Sequence, residues 1–187
     1  MLMKNPDLRV QKSKRDIERA FIQLVNQKGF SKTNVKDICN TALVGRSTFY
    51  RYYDDKYMLL EELVQYYTSI FEKLVSNRTK KNFTITSLIE LYEGLENYQA
   101  SMLCLLNISI DNVSLQENFR SLLTESLTQY LSTKKLTISK SFIQELYASS
   151  VITTLKWSLT NGVDPQIAEL MNTTLQYIVN KYTAKVE

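Results

Sequence analysis

Histidine is missing from all 187 residues, and cysteine occurs only twice, glycine four times and proline twice. Without imidazole, histidine-based metal sites and histidine acid–base catalysis are excluded. Cys39 and Cys104 stand far apart, which leaves no disulfide scaffold and no zinc ligand set. A reducing cytoplasm is the expected compartment. So few turn-formers and helix breakers point to an all-α chain. No apolar run approaches the roughly 20 residues of a membrane span. The opening "MLMKNPDLRV" lacks the apolar core of a signal peptide. Neither a glycine-rich phosphate loop nor a nucleophile elbow is found, so no catalysis, cofactor or metal is expected. The pairs Glu61-Glu62 and Asp54-Asp55 read as a solvated helix face and a helix N-cap.

What is present suits a globular protein with a real core: 44% hydrophobic and 22% charged residues. Charge is unevenly placed. Residues 1–56 hold twelve Lys/Arg and six Asp/Glu, a net of +6, whereas residues 57–187 hold eleven and thirteen, a net of −2. The asymmetry suggests an anionic partner for the N-terminal end, the plain alternative being a lysine-rich solvated face.

Apolar periodicity places helices along the chain. Ile17, Ala20, Phe21, Leu24 and Val25 share one face of a helix over 8–28, which Gly29 ends and Phe30 closes. Asn34 caps a short helix from Val35 to about Thr41, with Asp37 three residues on. After "ALVG", Gly45 caps a second short helix from Arg46 to Tyr53. Asp54 or Asp55 then opens a long helix from Lys56 to about Ser76, and "SNRTKKN" reads as an exposed polar connection. Further helices are expected over 84–97, 99–111, 115–132, 139–161 and 165–183. The sharpest break is "NGVDP", where Gly162 stops one helix, Asp164 caps the next and Pro165 takes its first position.

Two short helices joined by a tight turn form a helix-turn-helix if their faces fit. Phe49 and Tyr53, four residues apart, face inward onto Ile38 and Val44. Arg46, Ser47, Tyr50 and Arg51 are left outside. Arg46, at the helix start, can grip a guanine with two hydrogen bonds, and Ser47 permits close approach. Thr48, Tyr52 and Lys56 suit phosphates, and Lys36 either a phosphate or a base. A helical protein–protein adaptor with a basic docking end is the reading of another class.

Residues 29–64, "GFSKTNVKDICNTALVGRSTFYRYYDDKYMLLEELV", resemble the DNA-binding signature of the TetR family of bacterial transcriptional regulators. The matching positions are Gly29-Phe30, Val35 with Ile38, Ala42 with Val44, Thr48-Phe49-Tyr50, and Lys56 with Leu59-Leu60. Two positions depart: Leu43 replaces the usual turn glycine, and Gly45 the usual Ser/Thr cap. A leucine there is strained if the turn needs positive φ. Residues 147–178, with Trp157 through Gly162 followed by Asp164, resemble the last two helices of a Gram-positive branch.

The resemblance implies a three-helix DNA-binding domain over 1–56 and a helical bundle for dimerisation and regulation over 57–187. It further implies a homodimer on a double-stranded, pseudo-palindromic operator, paired through the helices near 139–161 and 165–183. Repression relieved by a small apolar effector is expected, the alternative being an activator that answers to a protein partner. Phe71, Tyr92, Tyr98, Met102, Cys104, Phe119, Tyr147 and Trp157 can line an effector cavity, or simply pack as core.

Overall fold

The computed structural model describes residues 6–184, with side chains from residue 10 onward. The first five residues, which hold part of the segment read for a leader, lie outside the described residues. Nine helices are described: α1 (Pro6–Lys28), α2 (Val35–Ala42), α3 (Arg46–Phe49), α4 (Lys56–Lys80), α5 (Ile85–Glu96), α6 (Gln99–Leu105), α7 (Leu115–Tyr130), α8 (Lys140–Asn161) and α9 (Pro165–Tyr182). A small hairpin, β1 (Ser109–Ile110) and β2 (Val113–Ser114), separates α6 from α7. No described helix is long and apolar enough to cross a membrane.

Close packing groups the chain into two compact units, one reaching to Tyr66 and including Ile110–Val113, the other formed by Tyr67–Ser109 and the chain from Ser114. Helix α4 runs unbroken from the first unit into the second. In the first unit Ile17 and Phe21 of α1, Ile38 of α2, Phe49 of α3 and Leu59 of α4 are each 0% exposed. Burying a side chain of this size contributes about 1.5–3 kcal/mol. These five residues therefore fix the two short helices α2 and α3, which could not persist in water alone, between α1 and α4.

In the second unit, Phe71 of α4 and Phe119 of α7 stack with centroids 3.7 Å apart, and Leu88, Leu95, Leu105, Leu123 and Leu155 complete the core around them. Side-chain caps start its helices: Thr84, Ser114, Ser139 and, as expected, Asp164 each accept a backbone N–H from the first turn. Pro165 follows Asp164, and Gly162 ends α8 at φ 92°.

Two expectations are corrected. The segment 99–111 is a helix only to Leu105; Ser109 to Ser114 turn back as the hairpin. The apolar run through Ile108 and Ile110 continues the helical pattern, but "DNVS" supplies a tight turn, with Asp111 at φ 49°. Nor is "SNRTKKN" an exposed connection. Helix α4 continues to Lys80, and Arg78 is 1% exposed.

Candidate nucleic-acid interface

The geometry of the first unit is set by three junctions. At the first, Gly29 leaves α1 at φ 81°, a backbone that suits a residue without Cβ. The Thr33 hydroxyl donates to its carbonyl at 2.9 Å. Asn34 then caps α2 by accepting the Asp37 N–H at 2.9 Å. Asp37 does not complete a reciprocal box; its carboxylate pairs with Lys28 of α1 instead.

At the second junction, Leu43 stands at φ 54°, ψ 41°, in the left-handed region. Its N–H reaches Asn40 O and Cys39 O, and Val44 N donates to Cys39 O at 3.0 Å. The turn demands the conformation that glycine adopts freely, and here a leucine takes it with its side chain 93% exposed. Gly45 starts α3 in extended backbone, φ −70°, ψ 150°, with no side-chain cap.

The third junction anchors α3 from behind. Only Arg46–Phe49 is regular helix, and the chain continues as a turn in which Tyr52 and Tyr53 both donate to Phe49 O. Phe49 and Tyr53 are 0% and 1% exposed, with ring centroids 5.5 Å apart. The Tyr53 hydroxyl donates to Glu18 Oε1 of α1 at 3.2 Å. Burial raises the Glu18 carboxyl above its ordinary range, which the Tyr53 hydrogen bond and Lys14 partly offset. Lys14 pairs with Glu62 of α4 at 2.7 Å and also lies over the Tyr53 ring. Asp55 caps α4, accepting from Tyr57 N and Met58 N.

On the other side of α3 and its following turn, Arg46, Ser47, Tyr50 and Arg51 are exposed, as is Lys36 on α2. Thr48 and Tyr52 are half-buried. No ion pair engages Lys36, Arg46 or Arg51 among the described residues. Lys12, Arg15, Arg19 and Lys32 are further exposed cations of this unit; only the basic excess of the N-terminal sequence signalled them.

Lys56, expected on a phosphate, is engaged within the chain: its ammonium donates to Phe30 O at 2.9 Å, Ser31 O at 3.3 Å and Thr33 O at 2.8 Å. It also lies 4.4 Å from the Phe30 ring centroid, and burial depresses its pKa. All three N–H donors are taken, so Lys56 ties the start of α4 to the turn before α2.

The residues expected around an effector divide. Phe71, Tyr92, Met102, Cys104, Phe119 and Tyr147 are buried in the second unit, and Tyr98 packs edge-on against Tyr67. Trp157 is 42% exposed, on the outer side of α8. The buried positions of α8 include Val151, Thr154, Leu155 and Ser158 instead.

A buried anchoring face and an exposed Arg- and Tyr-bearing face on a helix-turn-helix, joined to a second helical unit, define a DNA-binding regulator. A family model for bacterial regulatory proteins of the tetR family matches residues 19–63. A TetR transcriptional regulator from Streptococcus agalactiae 2603V is similar over 90% of this chain and 96% of its own, at 31% identity and a TM-score of 0.63. The chain belongs to the TetR family. The fold is also shared by NalD, the secondary repressor of the MexAB-OprM multidrug efflux pump in Pseudomonas aeruginosa (17% identity, TM-score 0.66, 89% of this chain and 96% of that one). It is shared too by FadR from Bacillus subtilis in complex with stearoyl-CoA (17% identity, TM-score 0.62, 88% and 97%). No curated protein matches the sequence.

Proposed function

We propose that the protein is a homodimeric repressor that places α3 in the major groove of a pseudo-palindromic operator and leaves it when an effector binds the second unit. The observation that carries this reading is the two-sided α3 and its following turn, with Phe49 fully buried and Arg46, Ser47, Tyr50 and Arg51 exposed on the other side. Arg46 is assigned to a base edge, by two hydrogen bonds to guanine. Ser47, Thr48, Tyr50, Arg51 and Tyr52 share base and phosphate contacts, and Lys36 takes a phosphate. The structural tie made by Lys56 favours removing it from the contact set.

Dimerisation is assigned to α8 and α9. Phe142, Leu146 and Trp157 of α8 are 62%, 40% and 42% exposed, and Leu170 and Tyr177 of α9 are 64% and 58% exposed. Five large apolar side chains left in water on two helices favour a covered face. Two subunits then present two recognition helices to two half-sites. The repressor named among the structural neighbours and the acyl-CoA complex favour repression with a small-molecule effector. A gel-shift titration tests the groove assignment. Arg46→Ala is expected to cost about 1–3 kcal/mol of operator binding and to relax one base position; unchanged binding and specificity would refute the assignment.

A further inference from the structure

Two stretches of the chain carry no acid: residues 126–144 and 170–186 hold neither Asp nor Glu. The fold joins them. Leu136, in the loop after α7, forms an antiparallel bridge with Thr183, just past α9. Beside it Thr137 N donates to Tyr182 O at 2.8 Å, and Ala184 N to Lys135 O at 2.7 Å. Lys140, at the start of α8, donates through Nζ to Leu131 O at 3.3 Å. Lys134, Lys135, Lys140 and Lys181 are thereby gathered at one end of the second unit. The Lys134 ammonium lies 5.4 Å from the Tyr130 ring centroid, and that of Lys181 lies 5.3 and 5.7 Å from those of Tyr177 and Tyr182. Lys135, Lys140 and Lys181 are exposed and Lys134 is half-buried. No ion pair engages any of the four among the described residues.

Cations of one sign held together repel one another, so the arrangement costs stability unless something offsets it. Helix ends account for little of it. A cation suits the last turn of a helix, which covers Lys181. Lys140, however, is the first residue of α8, where the helix dipole repels it, and Lys134 and Lys135 lie in no helix. We infer that this end of the second unit is a docking surface for an acidic, extended segment of a partner protein. Charge complementarity selects a polyanion. The type of cation narrows the choice. Lysine is a compact point charge on a flexible stem, which adapts to a string of carboxylates. Neither stretch holds an arginine to grip phosphate with two hydrogen bonds. Against a lipid surface stands the lack of an anchor: neither the loop 131–139 nor the residues 178–184 expose a large apolar side chain to insert. The surface goes beyond the DNA and effector roles proposed above and depends on neither.

The test is a fluorescence-anisotropy titration of a labelled decaglutamate peptide with the full chain at about 0.15 M ionic strength, where charges more than about 8 Å apart are largely screened. Because the first unit is also basic, two variants with the same loss of charge are compared. One is Lys134→Gln/Lys135→Gln/Lys140→Gln/Lys181→Gln at the surface; the other is Lys12→Gln/Arg15→Gln/Arg19→Gln/Lys32→Gln on the first unit. Saturable binding of one peptide per chain is expected, weakened at least about tenfold by the first set and unchanged by the second. Lys135→Gln alone, at a loop position whose side chain touches no ring, is expected to weaken the peptide about threefold, which keeps the test decisive if the quadruple surface variant does not fold. No saturable binding, or equal weakening by both sets, would overturn the surface. So would vesicles of phosphatidylserine and phosphatidylcholine, or random duplex, held by the four lysines more tightly than the peptide, since the partner is then a lipid or a nucleic acid.

Discussion

Leu43 is the residue at which sequence and backbone disagree most openly. An L-residue in the left-handed region costs roughly 1–2 kcal/mol, and the 93% exposed side chain recovers little by packing. Leu43→Gly is therefore expected to stabilise the chain by about 1 kcal/mol in denaturant unfolding; a loss of stability would show that the leucine is doing something the turn needs. Lys56 has the opposite character. Lys56→Met keeps the stem over Phe30 but removes three hydrogen bonds, and is expected to cost about 2 kcal/mol of stability. Its effect on operator binding should leave the salt slope unchanged, because no phosphate contact is lost. Glu18 supplies a pH signature. Burial raises its carboxyl above the ordinary 4.5, so the folded state holds the proton more tightly than the unfolded state does. Its contribution to stability is present at low pH and is lost as pH rises above about 4.5. Glu18→Gln keeps an oxygen for the Tyr53 hydroxyl and is expected to flatten the fall in Tm from pH 5 towards neutrality; an unchanged Tm–pH profile would contradict the assignment.

At the scale of elements, α8 and α9 carry the most direct prediction. Leu170→Glu places a charge on the proposed dimer face at a 64% exposed position. Sedimentation should show the wild-type chain as a dimer and the variant as a folded monomer; a dimeric variant would move the interface elsewhere. The helix-turn-helix could be read from sequence because its signals are local: Gly29, the Asn34 cap, and the four-residue spacing of Phe49 and Tyr53. The strain at Leu43 was visible through the family resemblance, because Leu43 stands where the turn glycine is usual. The hairpin at Ser109–Ser114 was not, since Ile108 and Ile110 extend an apolar pattern that two-residue strands are too short to interrupt. The continuation of α4 past Ser76 was hidden by chemistry. Arg78 stands among Asn77, Thr79, Lys80 and Lys81, and burial of a guanidinium becomes intelligible only once Thr84, Ser87, Tyr147 and Asn172 converge on it from elements distant in sequence. The exposure of Trp157 was not legible because an aromatic on an amphipathic helix reads the same whether it faces its own core or outward.

For the whole molecule, charge and architecture point the same way. The net +6 sits in residues 1–56 and the net −2 in the remainder, so attraction to a polyanion is confined to the unit that carries α3. Binding to random duplex should be weak and strongly salt-dependent, and the chain as a dimer should add sequence preference on top of it. The central claim is that two copies of this chain read a symmetric DNA site through α3. Selection of bound sequences from a random duplex pool tests it most directly. Enrichment of an inverted repeat, with half-site centres about 10 base pairs apart or a multiple of that, and loss of that preference on Arg46→Ala, is the result expected. No enrichment, or a single asymmetric site that Arg46→Ala binds equally well, would contradict it.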